Sequence, residues 1–290
     1  MTWVLGVIGG SGLYEIEGLT EQRWVRVQTP LGSPSDEILH GVLNGVEVRF
    51  LPRHGRGHRL SPSHLDYRAN IDALKRCGVT DIVSLSAVGS LQERYAPGDF
   101  VVVDQFIDRT FARVKSFFGD GIVAHVSMAE PVCPRLSALA AAAAREAGAT
   151  VTEGGTYLAM EGPQFSTRAE SELYRAWGCD VIGMTNMPEA KLAREAELPY
   201  ASVAMITDYD CWRAGHDAVE VSQIVAVMHA NGAKAKATVA GLCRALSATP
   251  RTPSPIDTVL DAALITGPAH RDPGLAFKLE AILKRVSATA

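Results

Sequence analysis

Two carboxylates one residue apart close the string Thr207-Asp208-Tyr209-Asp210. They follow Ala204-Met205-Ile206, an apolar run that reads as the end of a buried strand. A carboxyl there can give or take a proton. If strand geometry continues through Tyr209, Asp208 and Asp210 point the same way. A pair of surface carboxylates is the blander alternative, but buried ones need partners or a function. Near the N-terminus, Gly6-Val7-Ile8-Gly9-Gly10-Ser11-Gly12 reads as a strand ending in a glycine turn with a hydroxyl at its tip. Such a turn can aim backbone N–H groups at an anion. An anion site together with a proton donor suggests group transfer to phosphate.

Further strand ends carry suitable chemistry. The glycine turn is not a dinucleotide fingerprint, because counting from Gly10 and Gly12 puts the third glycine position at Glu15. Nor does a Gly-Lys-Ser/Thr follow, as a Walker loop requires. In Leu51-Pro52-Arg53-His54-Gly55-Arg56-Gly57-His58, two histidines stand at metal-binding helical spacing. Gly55 and Gly57 argue against a helix there, so no metal site is assigned. Arg53 and His54 read better as anion donors, since Arg offers a planar fork to phosphate; a solvated basic loop is the alternative. Ser84-Leu85-Ser86-Ala87-Val88-Gly89-Ser90 is another strand ending in small residues, and Ser86 can present a hydroxyl to the same crevice. In Met160-Glu161-Gly162-Pro163-Gln164-Phe165-Ser166, a Phe held by a Gly-Pro loop offers either a rigid stacking face or a core aromatic. Met184-Thr185 ends one more strand with a hydroxyl.

These residues need a scaffold that gathers strand ends. Apolar or β-branched runs at 4–8, 46–51, 81–86, 100–105, 157–160, 180–184 and 200–206 predict strands. Several are apolar on both faces, as in a sheet covered by helices on both sides. Helices are expected over 61–77, with Ser61 as N-cap and Pro62 in the first turn, and over 134–147, 166–177, 189–197 and 219–246. The run Thr249-Pro250-Arg251-Thr252-Pro253-Ser254-Pro255 cannot be helical and reads as a linker. Beyond it, 257–265 and 272–286 look helical but are too short to build their own core. The reading is one α/β domain over 1–248 and a helical extension over 249–290, resting on that domain or on a neighbouring subunit. A 290-residue chain can bury a large core. A net charge of −4 gives no basic surplus for nucleic acid, and no apolar run is long enough to span a membrane. Five dispersed cysteines and a start without a basic n-region predict reduced thiols in the cytoplasm.

In order, these strings together with His125-Val126-Ser127-Met128-Ala129-Glu130-Pro131 resemble the family of trimeric purine nucleoside phosphorylases over roughly residues 4–246. The resemblance is strongest to members that cleave methylthioadenosine. It implies the nucleoside phosphorylase fold, a mixed central β-sheet flanked by helices. It implies phosphate held by Ser11, Arg53, His54, Ser86, Ala87 and Thr185. Met184 would meet the ribose and Phe165 the purine. Asp208 would be the acid at N7, and Asp210 would meet the 6-amino side. Ser166 and Val221 match specificity positions. His125, Ile224 and Val225 match the pocket around the 5′-methylthio group.

The implied reaction is phosphorolysis of methylthioadenosine to adenine and 5-methylthioribose 1-phosphate. Phosphate is the co-substrate, with no metal or organic cofactor, and the chain is expected to form a homotrimer. A 6-oxopurine nucleoside or methylthioinosine substrate is the alternative. Ser11 and Ser86 replace threonines common in the family and keep the hydroxyl. Gly183 stands where many adenosine-cleaving members carry Asn, which removes a side-chain partner near the base.

Overall fold

Runs that are apolar on both faces become the centre of a single sheet. The computed structural model describes residues 2–10, 12–213 and 221–288, with the side chains of 221–224 and 226 outside that description. The described strands are β1 (Val4–Gly9), β2 (Thr20–Val25), β3 (Ile38–Leu43), β4 (Val46–Pro52), β5 (Asp81–Ser90), β6 (Phe100–Val103), β7 (Gln105–Asp108), β8 (Val151–Glu153), β9 (Thr156–Ala159), β10 (Val181–Gly183) and β11 (Tyr200–Asp208). The described helices are α1 (Tyr67–Arg76), α2 (Pro134–Glu146), α3 (Arg168–Ala176), α4 (Asn186–Glu195), α5 (Val221–Ser247), α6 (Leu260–Ala263), α7 (Pro273–Lys278) and α8 (Glu280–Ala288). No described helix is long and apolar enough to cross a membrane.

The sheet turns on β5. Its first residues pair in parallel with β1, which pairs in parallel with β4. Along its other edge it pairs in parallel with β11 as far as Gly89. Its last two residues pair antiparallel with β10. Beyond β10 lie β9 and β7, beyond β11 lie β6 and β8, and β3 and β2 extend the far edge.

Period-two alternation divides the core. Leu5 and Val7 of β1, with Val83 and Leu85 of β5, pack in one cluster with Leu136 of α2 and Leu242 of α5. Ile8, Ile82 and Val88 face the other cluster, with Ile71 and Leu74 of α1 and Leu192 of α4. Leu260, Leu279, Ile282, Leu283 and Val286 are buried in that second cluster, so the C-terminal extension lies on this chain's own α1 face. Arg251 ties it down through Asp81 at 2.5 Å and Asp257 at 2.6 Å.

Three expectations change. The strand over 100–105 is two strands. At Asp104 the chain leaves β11 and β8 and joins β9, and the Asp104 carboxylate takes the Gly155 N–H at 2.9 Å. The helix over 61–77 is a 3₁₀ turn, Pro62–His64, followed by α1. Ser61 gives its side chain to His64 instead of a helix end, and the true cap is Asp66, which accepts from Ala69 N–H at 3.0 Å. The helix over 166–177 begins after Thr167, where Thr167 and Glu170 form a reciprocal capping box.

Candidate active site

The chain brings the chemistry-bearing strings to one end of the central strands. Parallel pairing puts the ends of β1 and β4 together, Gly9 opposite Pro52, beside Ser84 in the middle of β5, and the ends of β5 and β11 together, Gly89 opposite Asp208. Antiparallel pairing carries the end of β10, with Met184 and Thr185 beyond it, back along β5 toward Ser86.

Asp208 closes β11, but strand geometry stops there. Tyr209 leaves the extended region, and Asp210 adopts a left-handed φ of 53° at the start of a 3₁₀ turn. The two carboxylates stay together because the turn sends Asp210 N–H onto Asp208 Oδ1 at 2.8 Å. Gly89 makes room for both: a Cβ there would stand 3.1 Å from Asp208 Oδ1 and 3.4 Å from Asp210 Cβ. Burial raises the pKa of Asp208 against the bonds from Thr207 and Asp210, which lower it. Burial also raises that of Asp210, which accepts from Ser171 Oγ at 2.7 Å. Thr207 Oγ1 lies 2.7 Å from Asp208 Oδ2 and 3.1 Å from Val88 O. A hydroxyl has one hydrogen and can serve only one of these acceptors. With that hydrogen on Val88, Oδ2 can keep a proton; turned to Oδ2, it stabilises the carboxylate.

The anion side is built differently from the expectation. Arg53 is 2% exposed and its guanidinium turns inward. Nε donates to Glu189 Oε2 at 3.0 Å, Nη1 to Leu85 O at 3.0 Å and Nη2 to Ser84 Oγ at 2.5 Å. His54 Nδ1 donates to Leu60 O at 2.8 Å, which fixes the tautomer and leaves Nε2 as an acceptor. Burial, then the neighbouring Arg53, holds its pKa down at about 4. The ring is therefore neutral near pH 7 and stacks on His58 at 4.2 Å, so it offers no positive charge. Ser86 Oγ donates to Asn186 Oδ1 at 3.0 Å. Ala87 follows it, half-buried on β5. Thr185 stands at the N-cap of α4 but its side chain makes no capping bond.

A polar stripe lies beneath these residues. Ser84 and Ser86 share the β5 face of Ile82 and Val88, and Tyr200 and Ser202 lie on the neighbouring β11. Asn186 donates to Tyr200 Oη at 2.9 Å and Ser202 Oγ at 2.5 Å, and Tyr200 donates to Glu189 Oε1 at 2.7 Å. Sequence reasoning missed Asn186 and Glu189 as members of the site.

The loop after β9 closes over this end. Gly162, at φ 71°, has no room for a Cβ, which would stand 2.5 Å from Met184 Sδ. Phe165 is half-exposed, and Ser166 O accepts from Cys211 Sγ at 3.3 Å, beside Asp210. Arg113, also missed, clamps the assembly. Its Nη1 donates to Met184 O at 2.5 Å, Met187 O at 2.7 Å and Tyr67 Oη at 2.9 Å; its Nη2 donates to Glu161 O at 2.7 Å. Nε donates to the Glu161 carboxylate at 3.2 Å. Burial opposes ionisation of Glu161, but bonds from Ser63, Phe111 and Ala112 outweigh it and hold its pKa at about 2.

The 5′ pocket residues are not gathered in the same way. The backbone N–H of His125 is tied to Ala263 O at 2.9 Å, in the C-terminal extension. Val225 is exposed on α5. Ser11 and the side chains of Val221 and Ile224 lie outside the described residues.

A half-buried Asp208 and a buried Asp210 at the end of β11, with Thr185 carried toward Ser86 by the pairing of β10 with β5, agree with a family match. Residues 4–246 match the Phosphorylase superfamily, and the chain belongs to it. It is 64% identical over 288 residues to the S-methyl-5′-thioadenosine phosphorylase of Cereibacter sphaeroides, covering 99% of each chain. It is 60% identical to that of Geobacter sulfurreducens, covering 84% of this chain and 86% of the relative. A crystal structure of a methylthioadenosine phosphorylase from an antarctic soil metagenomic library superposes with a TM-score of 0.92 at 48% identity, covering 97% of this chain and 99% of that one. The Schistosoma mansoni methylthioadenosine phosphorylase in complex with adenine gives 0.83 at 36% identity, covering 90% and 98%.

Proposed function

We propose that this protein catalyses phosphorolysis of S-methyl-5′-thioadenosine, giving adenine and S-methyl-5-thio-α-D-ribose 1-phosphate. The observation that carries the reading is the pair of half-buried Asp208 and buried Asp210, held by a 2.8 Å bond from the Asp210 N–H, in a chain so similar to phosphorylases of that substrate.

The C1′–N9 bond breaks while a phosphate oxygen bonds C1′ from the opposite face, through a ribosyl cation-like state. Asp208 gives its proton to N7, so adenine departs neutral. The Thr207 hydroxyl then turns from Val88 to the Asp208 carboxylate, which solvent reprotonates. Asp210 Oδ2 is taken by Ser171, and its other oxygen is left to accept from the 6-amino group. A 6-oxo base would present an acceptor there instead, which argues against the alternative substrate. Phe165 stacks on the purine and Met184 packs on the ribose, with Ser166 and Val221 tuning the fit. Phosphate lies among Ser11, Ser86, Ala87 and Thr185, positioned rather than covalently activated. Arg53 and His54 border it, with Arg53 held from beneath by Glu189.

The reading includes no metal or organic cofactor. It also includes a homotrimer in the cytoplasm, supported by the family resemblance and by five free cysteines. In the trimer, His125, Ile224 and Val225 line the 5′-methylthio end. Adenine release from methylthioadenosine, measured with and without inorganic phosphate, tests the reaction. Release that ignores phosphate, or faster turnover of methylthioinosine, overturns it.

A further inference from the structure

Tyr157 carries a hydroxyl that the described residues do not satisfy. The residue lies on β9 and is 0% exposed. Its ring packs in the core beside Phe106, with centroids 5.7 Å apart. A phenylalanine would fill that space without placing a polar atom there, since an unpaired buried hydroxyl destabilises the fold. Yet the oxygen is buried with no hydrogen-bond partner among the described residues. Ser86, and Thr185 through both its hydroxyl and its backbone N–H, are the polar groups facing it, without closing a well-formed bond. These are two of the residues placed around phosphate above.

Gly183 is shaped around this oxygen. Its φ is unremarkable for any residue, so the requirement is space. A Cβ at 183 would stand 2.0 Å from Tyr157 Oη and 2.6 Å from Cζ. The side chain absent at 183 and the hydroxyl present at 157 occupy the same volume.

Resting on the phosphorolysis reading, we propose that Tyr157 is a positioning residue of the phosphate subsite and that Gly183 is the space it requires. When the anion arrives, Ser86 turns its hydrogen from Asn186 toward a phosphate oxygen, and the Thr185 hydroxyl, which makes no capping bond, donates to a phosphate oxygen as well. Tyr157 then donates its one hydrogen to the Ser86 oxygen and accepts from the Thr185 backbone N–H, holding the Ser86 hydroxyl in the donating orientation. The ligand class is a tetrahedral oxyanion, inorganic phosphate or the phosphate of the sugar product.

The test compares wild type, Tyr157→Phe and Gly183→Ala by thermal unfolding with and without inorganic phosphate, and by steady-state kinetics. For Tyr157→Phe the Tm without phosphate is equal or higher, because the unpaired oxygen is gone. The stabilisation given by phosphate shrinks, and KM for phosphate rises about 3- to 12-fold, the worth of one hydrogen bond. KM for the nucleoside moves less than about twofold. Gly183→Ala, which displaces the hydroxyl, weakens phosphate binding in the same direction. A Tyr157→Phe protein that unfolds earlier without phosphate, yet keeps the full phosphate response, overturns the proposal. A wild type with no phosphate response overturns the phosphorolysis reading and this proposal with it.

Discussion

Arg53 Nε lies 3.0 Å from Glu189 Oε2, with both side chains 3% exposed, beneath the end of β1 and the middle of β5. The pair joins a strand end to α4 across 136 residues of sequence. Ser84 and Tyr200 both donate to the second oxygen of Glu189, so the carboxylate is fully engaged.

Removing one partner leaves the other charged and buried. Glu189→Ala is expected to lower unfolding free energy by about 3–5 kcal/mol, the usual result of breaking a buried pair from one side. Arg53→Ala should do the same, and also raise KM for phosphate more than KM for nucleoside. Urea titrations of both variants, with steady-state kinetics, check this. An Arg53→Ala protein of wild-type stability would contradict the geometry.

Asp208→Asn keeps the shape of the acid and removes its proton. Turnover of methylthioadenosine should fall about 10²–10⁴-fold. Because burial raises the Asp208 pKa, the protonated form persists above the ordinary carboxylate range, and activity should fall as pH rises through that raised value. A pH–rate profile of wild type shows this limb, and a mutant with near-wild-type turnover would remove Asp208 from the reaction.

Arg113 holds the carbonyls of Met184 and Met187, which flank Thr185, and the Glu161 carboxylate. Arg113→Lys keeps the charge but loses the planar fork. We expect kcat/KM to fall by at least about tenfold, equivalent to about 1.4 kcal/mol, with lower stability. Rescue of full activity by lysine would show that charge alone suffices there.

Glu195 gives a pH-dependent stability unrelated to the reaction. Burial raises its pKa from 4.5 to about 7, although Phe117 N–H and Ser116 Oγ both donate to it at 2.7 Å. Between those two values the folded chain holds a proton that the unfolded chain has lost. Stability from this group is therefore full below about pH 4.5 and declines as pH rises through about 7. Glu195→Gln should flatten that decline when unfolding midpoints are compared at about pH 5 and about pH 8.

The central strands and the acid pair were legible in the sequence. β1, β4, β5 and β11 are buried on both faces, so their apolar runs stand out in one dimension. β2 could not be read this way, because it is an edge strand with four exposed residues of six. β8 is three residues long and also gave no signal. The split at Asp104 depends on which strand each half meets, and local pattern does not carry that information.

At the site, residue types announced Asp208, Asp210, Thr185 and the Gly-Pro loop. Only the folded chain decided what each group faces. Arg53 read as an anion donor because Glu189, its partner, is remote in sequence. His54 read as an anion donor because the burial that keeps it neutral comes from packing. Tyr157 and Gly183 read as an ordinary strand aromatic and a missing side chain until they were seen to share one volume. Composition and periodicity record which groups a chain owns and which faces are apolar. Hydrogen-bond partners, desolvation and pKa depend on distances across the sheet, and those exist only after folding.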